Sequence, residues 1–164
     1  MERTITLREY VTAGLVAGIA GGALLVAFLS AVQLAHGLPP SQLAANNFTF
    51  LAAMVLGDAA YLNPAAVPIG IAVHFGVAVA WALGYAYAAR SQPPLLARPW
   101  VSGAAFGLVV YIFMQIILLY AGLYHRPMPD VLGAQLVAYI VFYGMPVGLI
   151  VARAFRRCAA SAPG

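Results

Sequence analysis

Long apolar runs broken by short polar ones dominate the chain. Four of them extend from about Tyr10 to Ala35, Val67 to Ala89, Val101 to Gly122 and Val131 to Ala152. Each is close to the roughly 20 residues a helix needs to cross a hydrocarbon core. None alternates polar with apolar positions as a barrel wall does. In lipid the backbone must satisfy its own hydrogen bonds, which leaves helices. The pattern predicts an all-α integral membrane protein, a four-transmembrane-helix bundle forming one membrane domain over residues 1–164.

A shorter apolar run separates the first two. The two prolines of "HGLPPS" stop the first helix. The following "NNFTFLAAMVLGDAAYLNP" is apolar only from Phe48 to Gly57, too short to cross. It predicts a helix over about 46–62, started by Asn46 or Asn47. That helix would be either interfacial, lying on the outer leaflet, or re-entrant, lining a cavity. Asn47 also opens an N-F-T glycosylation sequon.

Composition sharpens this picture. Of 164 residues, 64% are hydrophobic and only 7% charged, with a mean hydropathy of +0.94. That is too few charges to cover a soluble domain, which averages about 25%. The basic side chains are all arginine, and they are lopsided. Arg3, Arg8, Arg90, Arg98, Arg153, Arg156 and Arg157 fall on one side of the predicted spans, and only Arg126 on the other. The positive-inside rule places both termini in the cytoplasm and loops 36–66 and 123–130 outside, with the cell inner membrane as the location. The first apolar run is too long for a signal-peptide core, and no good small-residue cleavage site follows it, so it is read as a retained span. The pI near 9.5 reflects the inside-positive bias. It fits contact with anionic membrane lipids, and no basic run is dense enough for nucleic acid. Cys158 is the single cysteine, so no intrachain disulfide or C-x-x-C pair is available.

Polar residues inside the spans are few, and they gather at one depth. At 1.5 Å per residue, His74 and Gln115 each lie about 10 Å from the outer ends of their helices. Gln135 and Tyr139 lie in the outer half of the last span, and Ser30 and Gln33 in the last two turns of the first. At 100° per residue His74 shares a stripe with Gly70, Trp81 and Tyr85, and Gln115 one with Gly107 and Tyr111. Polar groups avoid lipid, so His74, Gln115, Gln135, Tyr139 and Gln33 are expected to face one another. The layer has two readings. It is a hydrogen-bonded clasp fixing helix register, or a ligand or proton site around His74.

Specific chemistries find little support in the residue types. A bis-histidine haem needs a second histidine at the depth of His74, but His36 and His125 belong to the outer surface. A metal site from His36, His74, His125, Asp58 and Asp130 has no ligand-spaced motif. No nucleophile motif accompanies Ser30, and no carboxylate sits inside a span to drive proton-coupled export. The expectation is a non-enzymatic protein without a cofactor. It is read as a structural or accessory membrane component, the alternative being a small-solute or proton carrier or ligand-binding protein.

Small residues recur at four-residue intervals. Gly14, Gly18 and Gly22 mark the first span, Gly76 and Gly84 (with Ala80 and Ala88) the second, Gly103 and Gly107 the third, Gly144 and Gly148 the fourth. Such faces let helix backbones approach closely. They serve packing within the bundle or, alternatively, a homo-oligomer. The two halves also run in the same in–out–in sense, consistent with a parallel repeat.

A glycine-rich first helix ending "GLPP" precedes a second reading "VHFGVAVAWALGYAYA". A third opens "SGAAFGLVVYIFMQ" and a fourth carries "FYGMPVGLIVA". Together they resemble small bacterial inner-membrane proteins of the YagU type. The resemblance implies a location and a four-helix shape rather than a reaction. A histidine often recurs in the last helix of that family, and here Gln135 and Tyr139 occupy the region.

Overall fold

The computed structural model describes residues 6–122 and 129–160. Arg3, His125, Arg126 and most of the loop 123–130 lie outside the described residues, as does the side chain of Asp130. All described elements are helical: α1 Leu7–Ala35, α2 Leu43–Leu56, α3 Ala66–Ser91, α4 Pro93–Ala97, α5 Pro99–Tyr120, α6 Pro129–Val137 and α7 Met145–Ala160. A π-helical segment, Ala138–Gly144, joins α6 to α7 in one long last helix, and 3-10 turns at Pro40–Gln42 and Gly57–Leu62 flank α2. Five stretches are long and apolar enough to cross a membrane, the fifth being Pro40–Leu62. They mark the chain as a membrane protein.

Burial follows the inverted logic of lipid. The interior is small: Ala13, Ala17, Ala82, Ala86 and Ala138 are buried, and the largest fully buried side chains are valines. Leu24, Ile71, Leu108, Ile112, Phe113 and Ile116 face outward, far more apolar surface than a soluble monomer leaves exposed.

Glycines set the helix pairings. A Cβ on Gly14 would sit 2.9 Å from Leu83 Cα and one on Gly18 2.6 Å from Val79 Cα. Gly22 faces Ala78, His74 and Phe75. The numbers rise on α1 as they fall on α3, so the pair is antiparallel. α5 pairs with the last helix in the same way: Gly103 faces Gly144 and Met145, Gly107 faces Tyr139 and Ile140, and Gly148 faces Pro99 and Gly103. Gly21, absent from the predicted faces, packs α1 onto Tyr143 and Val147. Gly70 similarly receives the backbone of Phe48.

The second span does not use its predicted glycine face within the bundle. Gly76 and Gly84 are exposed, and nothing among the described residues lies within 4 Å of a Cβ built on either. The inward face of α3 is instead Ala78, Ala82, Tyr85, Ala86 and Ala89. Both stripes have helical spacing, and α3 has almost no amphipathic contrast to tell them apart. Packing against α1 chose between them.

The shorter helix also begins earlier than expected. Pro39 and Pro40 lead into a 3-10 turn, and α2 starts at Leu43, so neither Asn46 nor Asn47 caps it. Asn47 lies inside α2 and is buried. α2 runs antiparallel to the start of α3: Phe48 meets Gly70 and His74, while Ala52, Ala53 and Leu56 gather with Ala60, Ala66 and Ile69.

α3 and α5 close the bundle through long side chains. Tyr85 Oη lies 2.8 Å from Ser102 Oγ, and Trp81 meets Phe106 and Phe113 at ring distances of 6.4 and 5.6 Å. Trp81 carries this seam into a cavity.

Candidate functional site

A cavity of about 290 Å³ lies among α1, α2, α3, α5 and the last helix. Gln33, His74, Gln115, Gln135 and Tyr139 all line it. Its wall is otherwise mainly apolar, with Leu25, Leu29, Leu51, Val77, Val110 and Met114 among the contributors. No aspartate, glutamate or arginine lines it among the described residues.

Three local clasps surround this space. In the first, Gln33 Nε2 donates to Asn47 Oδ1 at 2.8 Å, and Asn47 Nδ2 donates to Ser30 Oγ at 3.0 Å. The buried Gln33 Oε1 has no partner within the described protein. Leaving such an oxygen dry costs about 1–3 kcal/mol, so a donor arriving in the cavity would find an acceptor waiting. In the second, Gln115 Nε2 donates to Gln135 Oε1 at 3.0 Å and ties α5 to α6.

The third is His74, whose Nε2 lies 3.1 Å from the backbone oxygen of Gly22. A carbonyl only accepts, so Nε2 carries the hydrogen, and in the neutral ring Nδ1 keeps its lone pair. Gly22 makes the approach possible, because a Cβ there would crowd His74 Nε2 at 3.3 Å. Phe48 and Phe75 meet the imidazole edge-on, at ring distances of 5.9 and 5.0 Å.

Tyr139 packs with Tyr111 and Tyr143 at 5.8 and 6.4 Å. Tyr143 hydroxyl donates to the Ala78 carbonyl at 2.5 Å and crosses from the last helix to α3. Both tyrosines owe their direction to the π segment. Four α-helical residues advance the chain about 40° past a full turn, so Gln135, Tyr139 and Tyr143 would drift around a regular helix. A π turn is wider and turns roughly 80° per residue, which reverses the drift. Pro146 explains its position: the ring has no N–H to give and would clash with the carbonyl four residues back. The chain widens just ahead of it, and Met145 N–H bonds to Ile140 O, five residues earlier.

The five residues singled out by depth and facing therefore share one space. Asn47 is the member that sequence reasoning missed. Its signal was legible, since Asn47, Leu51 and Met54 recur at helical spacing, and all three line the cavity. Its amide is buried and bonded on both sides, which removes it as a glycosylation acceptor. His36, assigned to the outer surface, stands at the cavity edge, exposed, with Nδ1 donating to Val32 O at 2.8 Å. The described residues hold no group of three metal-ligating side chains. No protein-family model, curated protein or solved structure matches this chain.

Proposed function

We propose that this is a four-span inner-membrane protein, of the YagU-like kind its motifs resemble, that binds a small, uncharged, largely apolar molecule in the outer half of its bundle. The observation that carries this reading is the cavity on which Gln33, His74, Gln115, Gln135 and Tyr139 converge. Its size approaches the lower end of ligand pockets, about 300–1,000 Å³, and an apolar wall with a few polar groups is their usual make-up. The polar groups on offer are amides, a phenol and an imidazole, which suit a ligand with one polar end and no formal charge.

Four spans fit better than five. α1 and α2 both run antiparallel to α3, so they point the same way. For both to cross, residues 36–42 would have to return through the membrane. Fully extended that link reaches about 28 Å, and its 3-10 turn shortens it, against a hydrocarbon core of about 30 Å. α2 is then a re-entrant arm beside the outer end of α3, and the arginine count keeps both termini in the cytoplasm. An impermeant maleimide applied to intact cells should leave Cys158 unlabelled and react only after permeabilisation. Labelling of Cys158 from outside overturns the orientation.

Trp81 lines the cavity and reports on its occupancy. In a Trp100→Phe background, a brominated fatty alcohol should quench Trp81 saturably. Ala134→Phe, which fills the cavity, should remove the saturable part, and His74→Ala should weaken it at least tenfold in a protein that still folds. Quenching that rises linearly with added alcohol and ignores Ala134→Phe would mean partition into the surrounding lipid or detergent. The polar residues would then be register clasps only, the mark of a structural or accessory component.

A further inference from the structure

A second depression lies at the opposite end of the bundle, between the first turns of α1 and the last turns of α7. We propose that it holds the headgroup of an anionic phospholipid of the inner leaflet. The groove measures about 790 Å³ and is lined by Thr6, Arg8, Glu9 and Thr12 on one helix, and by Arg153, Arg157 and Cys158 on the other. Below them its floor is apolar: Ala13, Val16, Ile150 and Ala154.

The charge is unbalanced in favour of an anion. Among the described lining residues Arg8, Arg153 and Arg157 stand against one carboxylate, Glu9, whose Oε2 also accepts from Thr6 N and Oγ1 at 2.8 and 2.9 Å. Arg8 and Arg153 are exposed and project from different helices. Guanidinium groups present paired donors in a plane, a match for phosphate oxygens that a lone ammonium does not offer.

The apolar floor separates a lipid from a soluble phosphate. Val16 is exposed on α1 and Ile150 is half-buried on α7, so an acyl chain can continue down the groove from a phosphate at its mouth. Basic sites of this kind between helices on the cytoplasmic side are where anionic headgroups bind. The assignment rests on the membrane placement proposed above and is independent of the outer cavity.

The test is native mass spectrometry of the full-length, delipidated protein in detergent, titrated with phosphatidylglycerol or with phosphatidylcholine of the same chains. Phosphatidylglycerol should be retained at least tenfold more strongly. Arg8→Gln with Arg153→Gln should abolish that preference, while Arg98→Gln, in the link between α4 and α5 at the same end, should leave it intact. Ala154→Trp keeps every charge but fills the floor, and it should also lose the lipid. Equal retention of the two lipids overturns the proposal, as does an equal loss in Arg98→Gln, which would make the attraction diffuse surface charge. Displacement of phosphatidylglycerol by an equal concentration of glycerol phosphate overturns it in favour of a soluble ligand. The measurement needs no bilayer, so a wrong membrane orientation would appear in the Cys158 labelling and not here.

Discussion

The two ends of the bundle are built on different principles. At the end where α1 begins and α7 finishes, backbones touch. Gly14 and Gly18 seat α1 on α3, and Gly103 and Gly148 seat α5 on the last helix. Polar groups there seal the structure: Ser102 Oγ donates to Leu95 O at 2.7 Å, Arg156 Nη2 donates to Leu96 O at 3.0 Å, and Arg90 stacks over the Tyr10 and Tyr87 rings. At the other end α2, His74 and the two glutamines surround an open space. Without a hydrophobic force between helices in lipid, close packing has to supply the cohesion, and glycine is what permits it. Around the cavity the close approaches are pairwise, with Gly22 on His74, Gly70 on Phe48 and Gly107 on Tyr139, and the longer side chains between those pairs leave a space. One end clamps α1 to α3 and α5 to the last helix, and the other surrounds a chamber.

The sharpest way to break this contrast is to put a side chain into the clamp. Gly103→Leu would drive carbon into Gly144 O, which lies 2.5 Å from even a Cβ, and into Met145 Cα. It should cost about 3 kcal/mol or more, read as a lost or strongly lowered melting transition in detergent. Asn47→Ala comes next. It removes both clasp bonds of α2 and strands Gln33 and Ser30, for a loss of about 1–3 kcal/mol. Hydrogen exchange should show that loss confined to α2 and the neighbouring turns of α1, whereas uniform destabilisation would deny the chamber its independence.

A double-mutant cycle of Gln115→Leu and Gln135→Leu should give a coupling near 0.6 kcal/mol, typical of interhelical hydrogen bonds in membranes. A coupling indistinguishable from zero would mean that this pair does not hold the chamber's shape. The smallest effect is expected of Gly76→Ala, which fills open space and changes stability by less than about 0.5 kcal/mol. A large loss there would point to a second copy of the chain packed on that face.

Much of this was legible beforehand. The spans Tyr10–Ala35, Val67–Ala89 and Val131–Ala152 fall within helical segments and Val101–Gly122 runs two residues past the end of α5, because apolar length alone specifies them. The gathering of His74, Gln115, Gln135, Tyr139 and Gln33 followed from depth and facing, both of which depend only on helix geometry. The partners were not legible. That Gln115 meets Gln135, while His74 turns to the Gly22 carbonyl, depends on which helices are neighbours. Equally hidden were the π segment, which lets Tyr139 and Tyr143 face inward together, and the place of Asn47 inside a helix rather than at its start.

The division has one physical cause. Periodicity, length and charge bias are local properties of the chain, so the sequence by itself determined the helices, their apolar outsides and the depth at which polar groups collect. Which small-residue stripe of α3 faces inward is decided by non-local contact, and Ala78, Ala82 and Ala86 prevailed over Gly76 and Gly84 because α1 packs there. The cavity is a tertiary property in the same sense. It exists only because α1, α2, α3, α5 and the last helix meet around one space without filling it.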